Sequence, residues 1–441
     1  MTRLGQAIVD LIVHRRRSWL VALLLVLVAG GVIGAMKEAT RTTSALDGLP
    51  IGAESTAVVE VLQTFPQKEG SSAVVLYTAT NGTLDEPTIA ALRTRLQGRI
   101  AGPLVVSEDK SAAIGVVPVT ATGNAGISAA VTSLRADLKA DPPAGVAVQV
   151  TGPAAVQADL GAVFQGANTR LLLATAGVVA LLLLITYRSP TLWLVPLIVV
   201  GIADRLAAVL ATHVLKSTGV AWDESTIGIL SVLVFGAGTD YALLLISRYR
   251  DELRREPDRY AAMRAALRHT GEAVLLSATT VVLGVLTLLL SVFPTTRGLG
   301  LASAVGIVVA AGYALVVLPA VLVLFGRWVF WPVVPRVGQT ALVDQNSFWR
   351  KVGDVVAARP QRFVVGTLVV LALMAGGLTQ VRSGLSQTDQ FLSKPEAIAA
   401  AERLAQSFPA GNSDPLVVIT EGDPAAVVAA AKSVPSVASA T

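Results

Sequence analysis

Long, nearly uninterrupted apolar stretches recur along this chain of 441 residues, and they constrain its fold more than any other feature. A helix that crosses the hydrocarbon core of a bilayer needs about 20 consecutive, mostly apolar residues. The chain is 53% hydrophobic but only 5% aromatic, so its apolar content is aliphatic, which suits lipid-facing helices. The stretches that we predict to be spans are 19–36, 171–187, 192–215, 226–247, 273–293, 299–325 and 363–381.

Clusters of basic residues predict which ends of these spans lie in the cytoplasm. Three arginines at 15–17 precede the first span, seven lie between 248 and 272, and five accompany Lys351 between 326 and 362. Loops rich in Lys and Arg stay on the cytoplasmic side. We therefore predict a multi-pass protein of the inner (plasma) membrane with a cytoplasmic N-terminus. Abundant Ala, Val and Gly with few lysines indicate an actinobacterial source.

The segment 37–170 is polar enough to be a soluble domain, and the predicted topology places it outside the cytoplasm. Short apolar runs predict strands, and apolar residues at helical spacing predict helices. The predicted strands are 73–79, 112–119 and 146–150, with a weak one at 104–107, and the predicted helices are 85–99, 127–138 and 153–167. This order predicts an α+β domain of the βαββαβ, ferredoxin-like type.

The chain repeats itself at a long interval. Phe65-Pro66 recurs as Phe408-Pro409 with an offset of 343, and the start of the first span recurs at Phe363 with an offset of 344. A repeat of this kind indicates two copies of one unit. We expect the second copy to be truncated in this sequence, as part of a longer chain of roughly 700 residues. The alternative is a short protein with a disordered tail.

These patterns give a predicted domain organisation. The predicted segments are a cytoplasmic N-terminus at 1–18, the first span at 19–36, an extracytoplasmic domain at 37–170, spans two to six at 171–325 with a cytoplasmic loop at 248–272, a cytoplasmic linker at 326–362, the seventh span at 363–381, and the start of a second outer domain at 382–441.

Several classes of chemistry are excluded by residue content. The chain has no cysteine, which rules out disulfides and thiolate metal sites, and its three histidines lie far apart in sequence. No lysine follows a glycine, so a Walker A motif is absent. Neither a Gly-x-Ser-x-Gly elbow nor an HExxH motif occurs. We predict a protein that is not an enzyme and that has no metal site and no cofactor.

The fourth predicted span contains a carboxylate, Asp240. It lies eight residues before Arg248, about 12 Å along a helix, and therefore within the hydrocarbon region. Intramembrane charges are costly and usually functional. Tyr241 follows it and can share a hydrogen bond, while Gly236 and Gly238 permit close packing or hydration. We predict a proton-binding site; the alternative is a buried Asp that only holds helices together.

Other polar residues lie at membrane depth. Asp204 and Arg205 are adjacent on the third span, where neighbouring side chains point about 100° apart and pair poorly with each other. We therefore expect different partners for each, in a structural role. Ser277 and Thr280 on the fifth span can support Asp240 by hydrogen bonding, although such residues more often serve helix packing.

A family resemblance appears in the fourth span. The residues that carry it are Gly236, Asp240-Tyr241-Ala242-Leu243 and Ser247-Arg248-Tyr249-Arg250. They resemble the fourth-helix signature of the MMPL family of the RND (resistance–nodulation–division) superfamily, and 269–291 and 297–307 also resemble that family. The resemblance implies an RND-type internal repeat. It also implies that Asp240 and Tyr241 form a proton relay, together with an equivalent pair in the second half.

The resemblance implies a proton-driven exporter of lipids, drugs, polyketide-like products or other amphiphilic molecules. Its partners would be such a substrate, protons, membrane lipids and the C-terminal half of the same chain, with a homo-oligomer left open. The arginine-rich stretch 248–268 suggests nucleic acid, but the acidic residues interspersed with it favour an anionic lipid surface, so we predict no nucleic-acid partner. The alternatives are a non-transporting RND-like lipid or sterol sensor and a membrane scaffold.

Overall fold

The computed structural model describes residues 9, 12–15, 18–41, 44–64, 71–80, 82–121, 123–187, 189–339, 348–380, 394–408, 418, 420, 422–434 and 437. They belong to two compact units. One comprises 1–40, 170–291 and 295–384, and the other comprises 41–169, 292–294 and 385–441.

The first unit is helical, in agreement with the predicted multi-span fold. Its helices are α1 (Ser18–Ala35), the end of α5 (Pro153–Tyr187), α6 (Leu194–Thr218), α7 (Glu224–Glu252), α8 (Arg259–Leu286), α9 (Pro294–Gly312), α10 (Leu318–Phe325), α11 (Phe348–Ala358) and α12 (Pro360–Gly377). Among the described residues, six helical segments are long and apolar enough to cross a bilayer. The predicted span at 171–187 corresponds to a shorter apolar segment, Leu171–Tyr187, at the end of α5.

The stretch 248–272, predicted as a loop, is mostly helix. Helix α7 continues to Glu252 and α8 begins at Arg259, so only a short connection joins them. Tyr260, Met263 and Leu267 are buried and follow one another at helical spacing, which extends the packed face of α8 well before its apolar core. The arginines mark the ends of two long helices, and charge density alone did not reveal that the backbone there is helical.

Local sequence explains where the helices begin, end and change pitch. Asp223 caps α7, since its carboxylate accepts hydrogen bonds from the backbone N–H and the hydroxyl of Thr226 at 2.9 Å each. Gly219 closes α6 in the left-handed conformation, with φ of 68°. Residues Tyr313–Val317 form a wider π turn that joins α9 to α10.

The second unit contains one four-stranded antiparallel sheet. Its strands are β1 (Ser71–Ala79), β2 (Val105–Val106), β3 (Ala112–Val119) and β4 (Val146–Thr151), in the order β2-β3-β1-β4. Its helices are α2 (Glu54–Thr64), α3 (Glu86–Leu96), α4 (Gly123–Ala140), the start of α5, α13 (Glu396–Ser407) and α14 (Pro424–Lys432). Register is fixed by pairs such as Val75 with Gly115 and Val75 with Val150.

Both faces of this sheet are covered. On one face Val75, Tyr77 and Val150 pack in a core with Leu92 of α3 and Val131 of α4. On the other face Leu76 and Ile114 pack against Leu404 and Phe408, which follow the seventh predicted span in sequence. Strands buried on both sides read as continuous apolar runs, which explains the run of six buried residues in β1.

Candidate functional site

Helix α7 places Asp240 in its middle. Asp240 lies 16 residues after Glu224 and 12 before Glu252, about 24 and 18 Å along the helix axis. Its side chain is exposed in the first unit, on a side of α7 that the other described helices leave uncovered. The opposite side is packed, since Val234, Ala242 and Leu245 are buried. Asp240 therefore faces away from the core that α7 shares with its neighbours.

Tyr241 points in a different direction from Asp240. It is buried in a cluster with Val274 and Ala278 of α8 and Ile307 and Ala311 of α9. Its hydroxyl interacts with the side chain of Ser277 on α8. The two residues of the predicted relay are therefore adjacent in sequence, with the carboxylate on the open side of α7 and the phenol anchored between helices.

The predicted supporting hydroxyls occupy two different environments. Ser277 meets Tyr241, whereas the Thr280 hydroxyl donates to the backbone carbonyl of Leu276 on its own helix at 2.9 Å. Neither hydroxyl has a described contact with the Asp240 carboxylate. Ser277 thus contacts Tyr241, the neighbour of Asp240 in sequence.

The two glycines of α7, Gly236 and Gly238, lie on different sides of the helix. A Cβ on Gly238 would lie 3.1 Å from Val200 on α6, so this glycine permits close packing of α6 and α7. A Cβ on Gly236 would meet nothing within 4 Å among the described atoms. Gly236 shares the open side of the helix with Asp240, which is the side where hydration would be expected.

Asp204 and Arg205 form a second charged group, on α6. Asp204 is buried and 1% exposed, with Ser231 of α7 beside its carboxyl. Arg205 meets a separate partner, Glu38, with Nη1 3.8 Å from Oε1. Arg205 Nε also lies 3.6 Å from Asp204 Oδ2, beyond normal hydrogen-bond length, so the adjacent pair is in loose contact while each residue has a separate partner on another segment. The flexible arginine stem lets the guanidinium fold back along the helix surface.

The residues that sequence reasoning missed are Glu38 and Ser231. Glu38 is distant in sequence from Arg205, so no local spacing could pair them. The only available signal was its position, three residues after the first span ends at Ala35. Ser231 and Asp240 are nine residues apart, two and a half helical turns, so they lie on opposite sides of α7.

The described residues contain no group of three or more His, Asp or Glu side chains arranged to hold a metal ion. The candidate site therefore consists of an exposed mid-helix carboxylate, its buried tyrosine neighbour, and a separate charged group on α6. The chemistry available to these residues is proton binding, hydrogen bonding and ion pairing.

The chain is similar in sequence to known membrane and transport proteins. The MMPL family model matches residues 47–363. A Streptomyces coelicolor protein named "Putative membrane protein ActII-3" is 39% identical over 96% of this chain and 61% of its own length. The apo-petrobactin exporter of Bacillus anthracis is 33% identical over 63% of this chain and 39% of its own length. A Mycobacterium leprae protein named "Probable transport protein MmpL10" is 30% identical over 83% of this chain and 38% of its own length. The chain thus spans about three fifths of the length of ActII-3 and about two fifths of the length of each of the other two relatives.

Proposed function

This chain belongs to the MMPL family, and from that premise we propose that it is part of a transporter driven by the proton-motive force. In this proposal Asp240 binds and releases the proton, and Tyr241 holds α7 against α8 and α9 while contacting Ser277. The protonation state of Asp240 biases the helices between two arrangements, which is how proton flow would be coupled to substrate movement.

The observation that carries the proposal is the direction in which Asp240 points. A carboxylate that faces lipid at the bilayer centre costs about 2.5–3.5 kcal/mol or more, so such residues face protein or a water-filled cavity. Asp240 lies on the side of α7 that the described helices leave open. That side is therefore where further protein would pack, and an equivalent Asp–Tyr pair from a second half would complete the relay.

The names of two relatives support export, and the proposed substrate class follows from the family resemblance. One relative is named as an exporter of apo-petrobactin and another as a probable transport protein. We propose export of lipids or other hydrophobic or amphiphilic molecules, including drugs or polyketide-like products, across the inner membrane. The second unit, which the predicted topology places outside the cytoplasm and which we call the outer unit, would provide the substrate-binding surface.

We also propose that the outer unit is a ferredoxin-like domain. The chain order β1-α3-β2-β3-α4-β4 and the sheet order β2-β3-β1-β4 support this assignment. In the proposed topology this domain lies outside the cytoplasm and receives substrate from the membrane or from the cytoplasmic side.

The test is proton-dependent export by cells that express the full-length gene. Asp240→Asn keeps the size of the side chain and removes its charge, and it should abolish export of a lipophilic dye at matched membrane abundance. Thr280→Val is the control, because the Thr280 hydroxyl bonds only its own helix in the described residues. Undiminished export by Asp240→Asn would refute the proton relay.

The second candidate function is a non-transporting lipid or sterol sensor of the same fold. The presence of both Asp240 and Tyr241 favours coupling to protons over sensing alone. The two functions differ in one observable. A sensor binds its lipid without net transport and without dependence on the proton gradient, whereas an exporter loses transport when the gradient is collapsed.

A further inference from the structure

A second carboxylate lies at membrane depth and has no role in the relay described above. Asp204 lies ten residues after the start of α6, about 15 Å along the helix, and it is 1% exposed. Its Oδ1 has no hydrogen-bond partner among the residues that the structure describes. An ionised carboxylate is rarely left buried with an oxygen unpaired, whereas a neutral carboxylic acid has a much smaller desolvation cost.

Two carboxylates share one cation at this place. The Arg205 guanidinium lies 3.6 Å from Asp204 and 3.8 Å from Glu38, so it contacts both without a normal hydrogen bond to either. If both acids were ionised, the three side chains would hold one uncompensated negative charge. Two nearby negative charges disfavour ionisation of both acids, and the acid that is shielded from water then retains its proton.

No other described charged side chain is positioned to neutralise this extra negative charge at Asp204. Helices α1 and α10, which pack against α6, contain no ionisable side chain. The π turn that packs against α6 contributes Tyr313, and α7 contributes Ser231 beside the Asp204 carboxyl. Of the two acids, Asp204 is the one shielded from water, since the Glu38 side chain is 43% exposed. The proton therefore belongs on Asp204.

We propose that Asp204, Arg205 and Glu38 form a second proton-binding site, in which Asp204 holds one exchangeable proton. When Asp204 is neutral, Arg205 pairs with Glu38. When Asp204 releases its proton, Arg205 turns to the new carboxylate, and the segment after α1 that bears Glu38 loses its ionic contact with α6. That segment is also tied to α6 by the Ala39 N–H, which donates to the Thr212 hydroxyl at 3.0 Å.

This site deepens the proposed proton coupling and rests on it for any role in transport, but proton binding by Asp204 stands apart from transport. Release of Glu38 would loosen the connection that leads from the first span into the outer unit. A change in the protonation of Asp204 within the membrane would in this way change the contacts of the segment that precedes the outer unit.

The test is infrared difference spectroscopy on the purified full-length protein in lipid nanodiscs, recorded across a pH series. The protonated carboxylic acid of Asp204 should give a carbonyl band that disappears as the pH rises. Asp204→Asn should remove that band and Asp240→Asn should leave it in place. If wild type and Asp204→Asn give the same spectra at every pH, the site does not exchange a proton and the proposal is overturned.

Two further variants test the shared cation. Glu38→Gln leaves Arg205 to Asp204 alone, which favours the ionised acid and should lower the pH at which the band disappears by about one unit. Arg205→Gln removes the cation and should raise that pH. Shifts in the opposite directions would overturn the sharing of Arg205, even if Asp204 itself titrates.

The outcome separates this proposal from the proton relay. A band that depends on Asp204, combined with export that does not depend on Asp240, would leave the second site standing and remove the relay. Loss of export in Asp240→Asn, with no band assigned to Asp204, would support the relay and overturn the second site. Size-exclusion profiles of each variant show whether it is folded before its spectrum is interpreted.

Discussion

The guanidinium of Arg135 on α4 binds the carboxylate of Asp159 on α5 through both of its terminal nitrogens, with Nη2 2.9 Å from Oδ2. Asp159 Oδ2 also accepts the backbone N–H of Ala397 at 2.9 Å, and Glu396 accepts the backbone N–H of Val150 at 3.2 Å. Burial disfavours the charge of Arg135, but the bonded Asp159 and nearby Glu396 outweigh burial and raise the pKa of Arg135. One arginine thus connects α4, α5 and α13 over the edge of the sheet.

Replacement of Arg135 by Met should detach α13 from the sheet. The variant leaves Asp159, 12% exposed, without its arginine partner, while Glu396, 22% exposed, keeps only its contact with Lys139. Loss of one partner from a largely buried pair costs about 3 kcal/mol. Hydrogen exchange of the full-length protein in detergent should show faster exchange in Glu396–Ser407.

Lys139 provides a matched control for Arg135. It also pairs with Glu396, but its side chain is 50% exposed, and exposed ion pairs contribute about 0.2–1 kcal/mol. Lys139→Met should therefore leave exchange in α13 nearly unchanged. If hydrogen exchange in α13 accelerates equally in both variants, then the number of positive charges near Glu396, and not the buried geometry of Arg135, holds α13 in place.

The turn before β3 contains a carboxylate, Asp109, whose contribution to folding stability should depend on pH. The Asp109 carboxylate accepts hydrogen bonds from the Ser107 hydroxyl at 2.6 Å and from the Ser111 N–H at 3.0 Å, and these bonds lower the pKa of Asp109 to about 2. Because the folded value lies below the ordinary value of 3.8, this stabilisation is complete above pH 3.8 and is lost as the pH falls through about 2.

The corresponding measurement compares wild type with Asp109→Asn. Chemical denaturation followed by far-UV circular dichroism should find wild type more stable at about pH 5, with the difference narrowing toward about pH 2. The effect is small because the group is exposed to solvent. A difference that stays constant between the two pH values would show that ionisation of Asp109 does not stabilise the turn.

Features encoded over short stretches were predictable from the sequence. Apolar length placed six spans that the structure contains, and short apolar runs placed β1 and β3. The weak strand predicted at 104–107 is present as Val105–Val106. Each of these depends on side chains within one element, so the local pattern contains the information. The position of Asp240 in the middle of α7 followed from the same rule.

Features that depend on distant contacts were not predictable. Glu38 meets Arg205, and Glu396 meets Arg135, across separations that no spacing rule covers. The packing of Leu404 and Phe408 on the sheet face of β1 and β3 is likewise a long-range event. The arginines around residues 248–272 were misassigned to a loop, because a charged helix end and a charged loop have similar composition.

The predicted orientation can be tested with single cysteines, since the chain contains none. Arg255 is exposed on the connection between α7 and α8, and Asp141 is exposed after α4. In intact cells Asp141→Cys should react with a membrane-impermeant maleimide, whereas Arg255→Cys should react only after permeabilisation. The reverse pattern would invert the topology, and labelling of both sites in intact cells would contradict the multi-span arrangement.

Gly298 marks the tightest approach of α9 to a neighbouring backbone. A Cβ at this position would overlap the carbonyl oxygen of Ala221 and lie 3.0 Å from its carbonyl carbon and 3.3 Å from Trp222 Cα. Backbone atoms cannot rotate away as the end of a side chain can. Gly298→Ala should therefore push α9 from the connection between α6 and α7, at a cost of about 1–3 kcal/mol.

Gly312, at the end of the same helix, is the matched control, because a Cβ there would meet nothing within 4 Å. Gly312→Ala should be neutral or stabilising by up to about 1 kcal/mol, since alanine favours helix over glycine. Heating followed by fluorescence-detected size exclusion should show a melting midpoint lowered by several degrees for Gly298→Ala alone. If both variants lose stability equally, glycine acts through helix flexibility at both positions, and the close approach to Ala221 does not determine the packing of α9.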